Sequence, residues 1–362
     1  MSTLTYRYRL KDATSQKHLQ QMASAVNYVW NYCQEVSVLA WRRDKKLLSA
    51  YELHKLTAGT SKDLRLSADT IQQVCTEYVT RKRQFKKRKL KWRSTKRSLG
   101  WIPFKAAYIR LQGDSVTYCG HRFRLWLSRL VEGVIKTGSF TQDSRGRWYV
   151  NFQCAVPETY GPPAPEEIGI DLGLTDQIAC THLPAPLSRA NLTRQFAPKL
   201  AMAQRANKTR RVKAINAKIA NCRKDWTHKV TTAIASKARL IAVGNVSSTK
   251  LAQTRFAKST YDAAWGITRV LLRYKSQRLG ALYVEVNEAF STVTCSACGQ
   301  RTDPSGLSHL GVRVWRCSQC GTLHHRDLNS ATNILRSGRR TLIKGIPVLE
   351  DGEDVNIILI GP

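Results

Sequence analysis

The chain has 362 residues, 42% of them hydrophobic, enough to bury a large core and to form two or three domains. Fifty-nine Lys and Arg against 25 Asp and Glu leave a formal charge of +34, an excess that strains a compact fold unless a polyanion neutralises it, so nucleic acid is the expected partner. No stretch approaches the roughly 20 apolar residues of a membrane helix and the start has no apolar leader, so no membrane partner is expected and the protein is placed in the cytoplasm, nucleoid-associated if prokaryotic.

Residues 4 to 10 alternate as a strand, and Thr14 or Ser15 can then cap a helix along which Leu19, Met22, Val26, Val29 and Cys33 repeat at helical spacing. Helical pattern continues to about residue 90 and runs into a basic segment, Arg81 to Arg97. Aromatics among its charges, as in Gln-Phe-Lys-Lys-Arg-Lys-Leu-Lys-Trp-Arg, suit phosphate contact combined with base stacking. A solvated charge run is the blander reading. From Trp101 to Val156 the texture turns to short alternating runs separated by turn signals, such as Arg-Phe-Arg-Leu-Trp-Leu and Trp-Tyr-Val-Asn-Phe-Gln-Cys-Ala-Val. This predicts a small antiparallel barrel or sheet that the first strand joins. Residues 158 to 167, with Pro162, Pro163 and Pro165, read as a linker.

An α/β pattern follows. Strands are expected at Glu167 to Thr181 (two, with a turn at Gly173), at Arg239 to Asn245 and at Ala281 to Asn287, with a helix over Tyr261 to Leu279 that Gly280 stops. Val212, Ile215, Ile219, Cys222 and Trp226 form an apolar seam on a long helix whose other face carries Arg210, Arg211 and Lys218.

Cys295-x2-Cys298 and Cys317-x2-Cys320 supply four thiolates for one tetrahedral Zn²⁺. Four cysteines leave the metal no open position, so this zinc is structural, and His324 and His325 are surplus. The other cysteines, Cys33, Cys75, Cys119, Cys154, Cys180 and Cys222, read as reduced core thiols. Asp171 ends an apolar strand, where an acid is costly unless paired or metal-bound. Asp327 opens a helical segment, Asp-Leu-Asn-Ser-Ala-Thr-Asn-Ile-Leu. Either acid alone could merely cap a turn or a helix.

Four segments together, Gly169-Ile-Asp-Leu-Gly-Leu, Tyr283-Val-Glu-Val-Asn, Thr294-Cys-Ser-Ala-Cys-Gly and His325-Arg-Asp-Leu-Asn-Ser-Ala-Thr-Asn-Ile, resemble the transposon-encoded TnpB (OrfB) family of RNA-guided nucleases, relatives of type V CRISPR effectors and Fanzor proteins. The resemblance runs from Arg7 to about Leu335. It implies an α+β multidomain fold: a β-barrel wedge domain at 1–11 and 99–157, a helical recognition insertion at 12–98, a linker at 158–167, an RNase H-like (RuvC) nuclease domain at 168–290 and 322–338, a zinc-ribbon target-nucleic-acid-binding segment at 291–321 and a tail at 339–362. It further implies a guide RNA from the mobile element, a target DNA, and two catalytic Mg²⁺ ions held by three acids. Arg81, Lys82, Arg83, Lys86, Lys87, Arg88, Arg210, Arg211 and Lys218 are candidates for nucleic-acid contact.

Asp171 matches the family's first acid and Asp327 its last, but the middle one, expected as Glu after Leu240-Ile-Ala-Val, is replaced by Gly244-Asn245. Two readings follow. Either the protein has lost its nuclease and retains RNA-guided DNA binding as a repressor, or the acid has moved to the end of the next strand, at Glu288. Neighbouring parallel strands lie about 5 Å apart and their carboxyl ends open on one crevice, so an acid can pass between them. Glu285, three residues earlier, competes but points to the opposite face of a regular strand.

Overall fold

Alternation decides where the first strand goes. Tyr6, Tyr8 and Leu10 are buried while Arg7 and Arg9 are exposed, so β1 (Ser2–Leu10) presents one apolar face. The structure, a computed structural model, describes residues 2–11, 14–87, 89–157, 164–173, 176–188, 191–245, 264–302, 311–343 and 357–358. The chain divides into two compact units, Met1–Pro157 and Glu158–Pro362.

In the first unit β1 is followed, after four helices, by β2 (Trp101–Lys105), β3 (Ile109–Gln112), β4 (Ser115–Tyr118), β5 (His121–Trp126), β6 (Val134–Gln142) and β7 (Trp148–Val156). They form an antiparallel seven-stranded sheet, ordered β2-β6-β7-β1-β5-β4-β3, that curls into a near-closed barrel. β1 lies between β7, which it pairs along nearly its whole length, and β5. Pro103 sits in β2, an edge strand, where a missing N–H costs no ladder bond. Phe104, Tyr118, Phe123, Phe140 and Phe152 fill the interior with tilted ring pairs 5.2–6.2 Å apart.

The helices between β1 and β2 are α1 (Thr14–Asp44), α2 (Ala50–Leu56), α3 (Ser61–Leu64) and α4 (Ala68–Gln84). The five periodic residues of α1, Leu19 to Cys33, are all buried. Helix α2 starts on a capping box between Ser49 and Glu52. The helix stops at Gln84, short of the expected residue 90, and residues 90 to 93 lie against α1. There Gln34 accepts from the Leu90 N–H (2.9 Å), and Asn31 both accepts from the Arg93 N–H (2.8 Å) and donates to its C=O (2.8 Å). Amide side chains thus replace the lost helical bonds, so residues 90 to 93 are anchored and not a free charge run.

In the second unit β8 (Glu166–Asp171), β9 (Asp176–Cys180), β10 (Leu187–Ser188), β11 (Ala238–Gly244), β12 (Leu282–Val286) and β15 (Ile357–Ile358) form a sheet ordered β10-β9-β8-β11-β12-β15. β8, β11 and β12 are parallel; β9, β10 and β15 run against their neighbours. Helices α5 (Leu192–Arg205) and α6 (Thr209–Ala235) link β10 to β11, and α7 (Trp265–Arg278) precedes β12. Helix α7 starts four residues later than the expected Tyr261, residues 261–263 lying outside the described residues, and it stops before Gly280 at φ 70°. The last helix, α8 (Arg326–Ile343), follows a two-stranded ribbon of β13 (Val314–Arg316) and β14 (Leu323–His325).

Alternation along β11 divides the core. Ile241 and Val243 pack with Ile234, Trp265 and Leu272 on one face; Leu240 and Ala242 pack with Ile334 and Leu335 of α8 on the other. The seam expected on α6 is buried only at Ile219, its other four members being half-covered, and burial deepens instead at Thr227, Thr231 and Ile234. Lys275 of α7 explains the threonines: its buried ammonium donates to Thr231 Oγ1, Thr232 Oγ1 and the His228 C=O at 2.6–2.7 Å. Two cysteines depart from the core reading, since Cys119 is exposed on the β4–β5 turn and Cys222 is half-covered. The linker residues 158–163 and most of the tail lie outside the described residues. Among the described residues no helix is long and apolar enough to cross a membrane.

Candidate active site and metal centre

The carboxyl ends of β8 and β11 and the start of α8 meet because glycine lets them. A Cβ on Gly169 of β8 would lie 2.0 Å from the Ala331 C=O and 2.7 Å from Leu335 Cβ, so its absence allows α8 to lie directly on the strand. Asp327 falls in the first turn of α8, where the helix dipole favours an acid, and it is 8% exposed. Asp171 ends β8 and accepts hydrogen bonds from the Ser330 hydroxyl, one turn along α8 from Asp327, and the Leu172 N–H.

Glu288 arrives from β12 by a short turn. At Gly244, the last residue of β11, an added Cβ would stand 2.5 Å from Glu288 Oε2 and 3.2 Å from Glu288 Cβ. The Glu288 carboxylate therefore occupies the space into which a side chain at 244 would project. Its Oε2 is buried and has no protein hydrogen-bond partner.

Burial raises the Asp171 carboxyl to about 7, and the charges of Glu288 and Asp327 push in the same direction, against the hydrogen bonds from Ser330 and Leu172. Glu288 is likewise raised to about 7 by burial, opposed by the positive charge of Arg269. The structure thus places Asp171 within electrostatic reach of both Glu288 and Asp327. Asp171, raised by two neighbouring carboxylates, and Glu288, with an orphaned buried oxygen, are groups whose charge a hard, oxygen-seeking cation would offset.

Glu285 has different company. Its carboxylate accepts from Arg273 (2.6 Å) and the Tyr283 hydroxyl (2.9 Å), with Arg269 at 3.6 Å. A carboxylate so matched has little left for a metal. Sequence reasoning missed these arginines, and also Arg313, whose Nη1 donates to both oxygens of Asp327 at 3.2 and 3.0 Å. Arg313 lies just before β13, so the ribbon touches the acid directly; no local pattern marks it among 59 Lys and Arg.

The four cysteines Cys295, Cys298, Cys317 and Cys320 gather with all ligand atoms within 4.8 Å of one another. The pairs Cys295–Cys320 and Cys298–Cys317 stand 3.7 Å apart, close to the ~3.8 Å sulfur–sulfur edge of a tetrahedron with ~2.3 Å metal–sulfur bonds. Each CxxC closes a knuckle, with the Gly299 and Gly321 N–H donating to the Cys295 and Cys317 C=O at 2.9 Å. Both glycines have positive φ, 81° and 74°. His324 is not idle: its Nε2 lies 3.0 Å from Cys295 Sγ.

The basic candidates are spread over separate elements. Arg81, Lys82 and Arg83 form the last turn of α4 and Lys86 and Lys87 follow it, while Arg88 lies outside the described residues. Arg81 is engaged with Glu77 at 2.6 Å, and Lys82 lies over the Tyr78 ring. Arg210, Arg211 and Lys218 are exposed on α6, Lys218 over Phe196 at 5.5 Å.

Comparison with known proteins finds similarity along most of the chain. The model of the Cas12f1-like TNB domain matches residues 265–334, from α7 through the cysteine cluster into α8. A putative RNA-guided DNA endonuclease of Streptomyces pristinaespiralis is 26% identical over 365 residues, covering 92% of this chain and 89% of that protein. The putative RNA-guided DNA endonuclease InsQ of Escherichia coli (strain K12) is 27% identical over 246 residues, 60% of each chain. Cas12f1, solved by cryo-EM with sgRNA and target DNA, shares the fold with a TM-score of 0.59 over 90% of this chain and 83% of that one, at 12% identity. Motifs, cysteine cluster and relatives converge on one resemblance, to the TnpB family of RNA-guided endonucleases.

Proposed function

We propose that the protein is an RNA-guided DNA endonuclease of a mobile element, which cuts DNA matched by its guide, beside a short motif, through a RuvC site built from Asp171, Glu288 and Asp327. The observation that carries the nuclease reading over an inactive DNA-binding one is the seat of Glu288 against Gly244, which returns a carboxylate to the strand end that lacks its own. The strand order β10-β9-β8-β11-β12, with only β8, β11 and β12 parallel, supports an RNase H-like domain. We assign 168–290 and 322–338 to it, 291–321 to a zinc ribbon, 1–11 and 99–157 to a wedge domain and 12–98 to a recognition insertion.

Two Mg²⁺ bound at such acids would supply an activated water and stabilise the leaving 3′ oxygen. The protein's part is to hold three carboxylates in place. Ser330 and the Leu172 N–H orient Asp171, Arg313 holds Asp327, and Glu288 keeps one oxygen free of protein donors. Asp171 and Glu288, on which burial favours protons near neutral pH, would have to give them up to hold such cations. Zn²⁺ on the four cysteines would have a structural role, keeping the ribbon and hence Arg313 folded beside Asp327. Specificity in this reading comes from base pairing with the guide, while the basic surfaces hold the duplex by charge and shape.

The test is plasmid cleavage. Protein assembled with its native guide RNA should cut a guide-matched plasmid with Mg²⁺, leave a mismatched one intact, and lose activity with EDTA or as Asp171→Ala or Asp327→Ala. Tight guide-dependent binding with no cut by the wild type would establish the inactive binder instead.

A further inference from the structure

Phe290, two residues after Glu288, combines an unfavourable backbone with an unburied ring. Its φ is 64°, in the left-handed region that bulky residues avoid, yet its side chain is 57% exposed, so no core packing compensates. The surroundings hold this conformation firmly. The Phe290 C=O accepts from the Val293 and Thr294 N–H and the Thr294 hydroxyl at 2.9–3.2 Å. Asn333 Nδ2 donates to the Ser291 and Thr294 C=O at 2.9 and 2.7 Å, tying the turn to α8. The Ser291 hydroxyl meets that of Ser330 at 2.8 Å, and Ser330 in turn bonds Asp171. The backbone that carries the ring is therefore fixed relative to Asp171.

One face of the ring is backed by Arg301, whose guanidinium carbon lies 3.9 Å from the ring centroid. Arg301 is itself exposed and its backbone is bridged to Thr294. The described exposed aromatics Trp92, Trp126 and Tyr51 also carry a nearby lysine, but none shares a turn with a carboxylate of the site.

We infer that Phe290 and Arg301 form a stacking platform that positions the substrate strand: a nucleobase lies on the ring while the guanidinium meets its phosphate. The occupant is an unpaired nucleotide, because a ring can stack only on a base whose face is free, and such stacking tolerates any base. This inference rests on the nuclease reading for the strand it positions but not for the stacking itself. Phe290 is a positioning residue here and leaves the chemistry to the acids.

The experiment uses the full chain with its guide RNA and a matched target carrying 2-aminopurine at successive positions of the strand to be cut, with Ca²⁺ for binding and Mg²⁺ for single-turnover cleavage. Phe290→Ala should slow cleavage by about tenfold, the value of one lost stack, with zinc content unchanged, and Phe290→Tyr should restore it. In Ca²⁺ one position should show quenched fluorescence that Phe290→Ala abolishes. Phe290→Gly, which suits the backbone better, should be as slow as Phe290→Ala; wild-type speed in either would overturn the proposal. If the wild type does not cut, the fluorescence decides alone: a quench lost in Phe290→Ala supports the platform, and no such position refutes it.

Discussion

At the residue scale the account turns on two glutamates three positions apart that have opposite environments. Glu285 is consumed by Arg273, Arg269 and Tyr283, so Glu285→Gln should destabilise the fold by about 1–2 kcal/mol while leaving cleavage within about twofold of wild type. Unfolding curves and cleavage rates measured side by side would check this. The pH response of the metal-free protein should report the other group. Asp171 and Glu288 are held near 7, whereas free carboxyls titrate near about 4, so the folded state keeps protons that the unfolded chain has lost. That stabilisation is complete below about pH 4 and disappears as pH rises through about 7. Metal-free protein should melt lower at about pH 8 than at about pH 6; Mg²⁺ should restore the loss, and the double variant Asp171→Asn/Glu288→Gln should flatten the difference. Asp171 and Asp327 were singled out in the sequence by their resemblance to the family's acids, and Glu288 by the gap that Gly244 leaves in that resemblance. Arg313, Arg269 and Ser330 were not, since each meets its acid only through tertiary packing.

At the element scale the site depends on how closely α8 lies on β8. Gly169→Ala would set a methyl group 2.0 Å from the Ala331 C=O, so helix and strand must part and carry Asp327 away from Asp171. We expect about 1–3 kcal/mol of destabilisation and a fall in cleavage larger than the unfolded fraction explains, as thermal melts and rates at low temperature would reveal. The ribbon is the second dependence. If the cysteines hold Zn²⁺, chelating it or replacing Cys298 with Ser should loosen Arg313 from Asp327, so thiol reactivity at Cys295 and Cys317, both buried now, should rise as cleavage falls. Periodicity read the α1 face, the barrel strands and the parallel strands directly, because each has one apolar face. It failed where polar groups do the packing: α4 ends early because Gln34 and Asn31 take over backbone bonds, and α6 is buried along threonines that serve Lys275.

At the scale of the whole molecule, charge and catalysis separate. A net +34 implies affinity for nucleic acid of any sequence, which should fall by more than about tenfold between low and physiological salt as counterions are regained. Binding titrations on an unmatched duplex would show it, and cleavage by the assembled guide complex should be less sensitive because base pairing carries the selection. What composition could not reveal is whether so basic a chain cuts, and under the proposed function that depends on Glu288 standing in for the acid absent at Gly244. The most direct measurement is cleavage of a guide-matched plasmid by Glu288→Ala, Gly244→Glu and the double variant Gly244→Glu/Glu288→Ala. The account predicts that both single variants fail, the first for want of an acid and the second because its side chain collides with Glu288, and that the double variant recovers cleavage above either. Full activity in Glu288→Ala would contradict it.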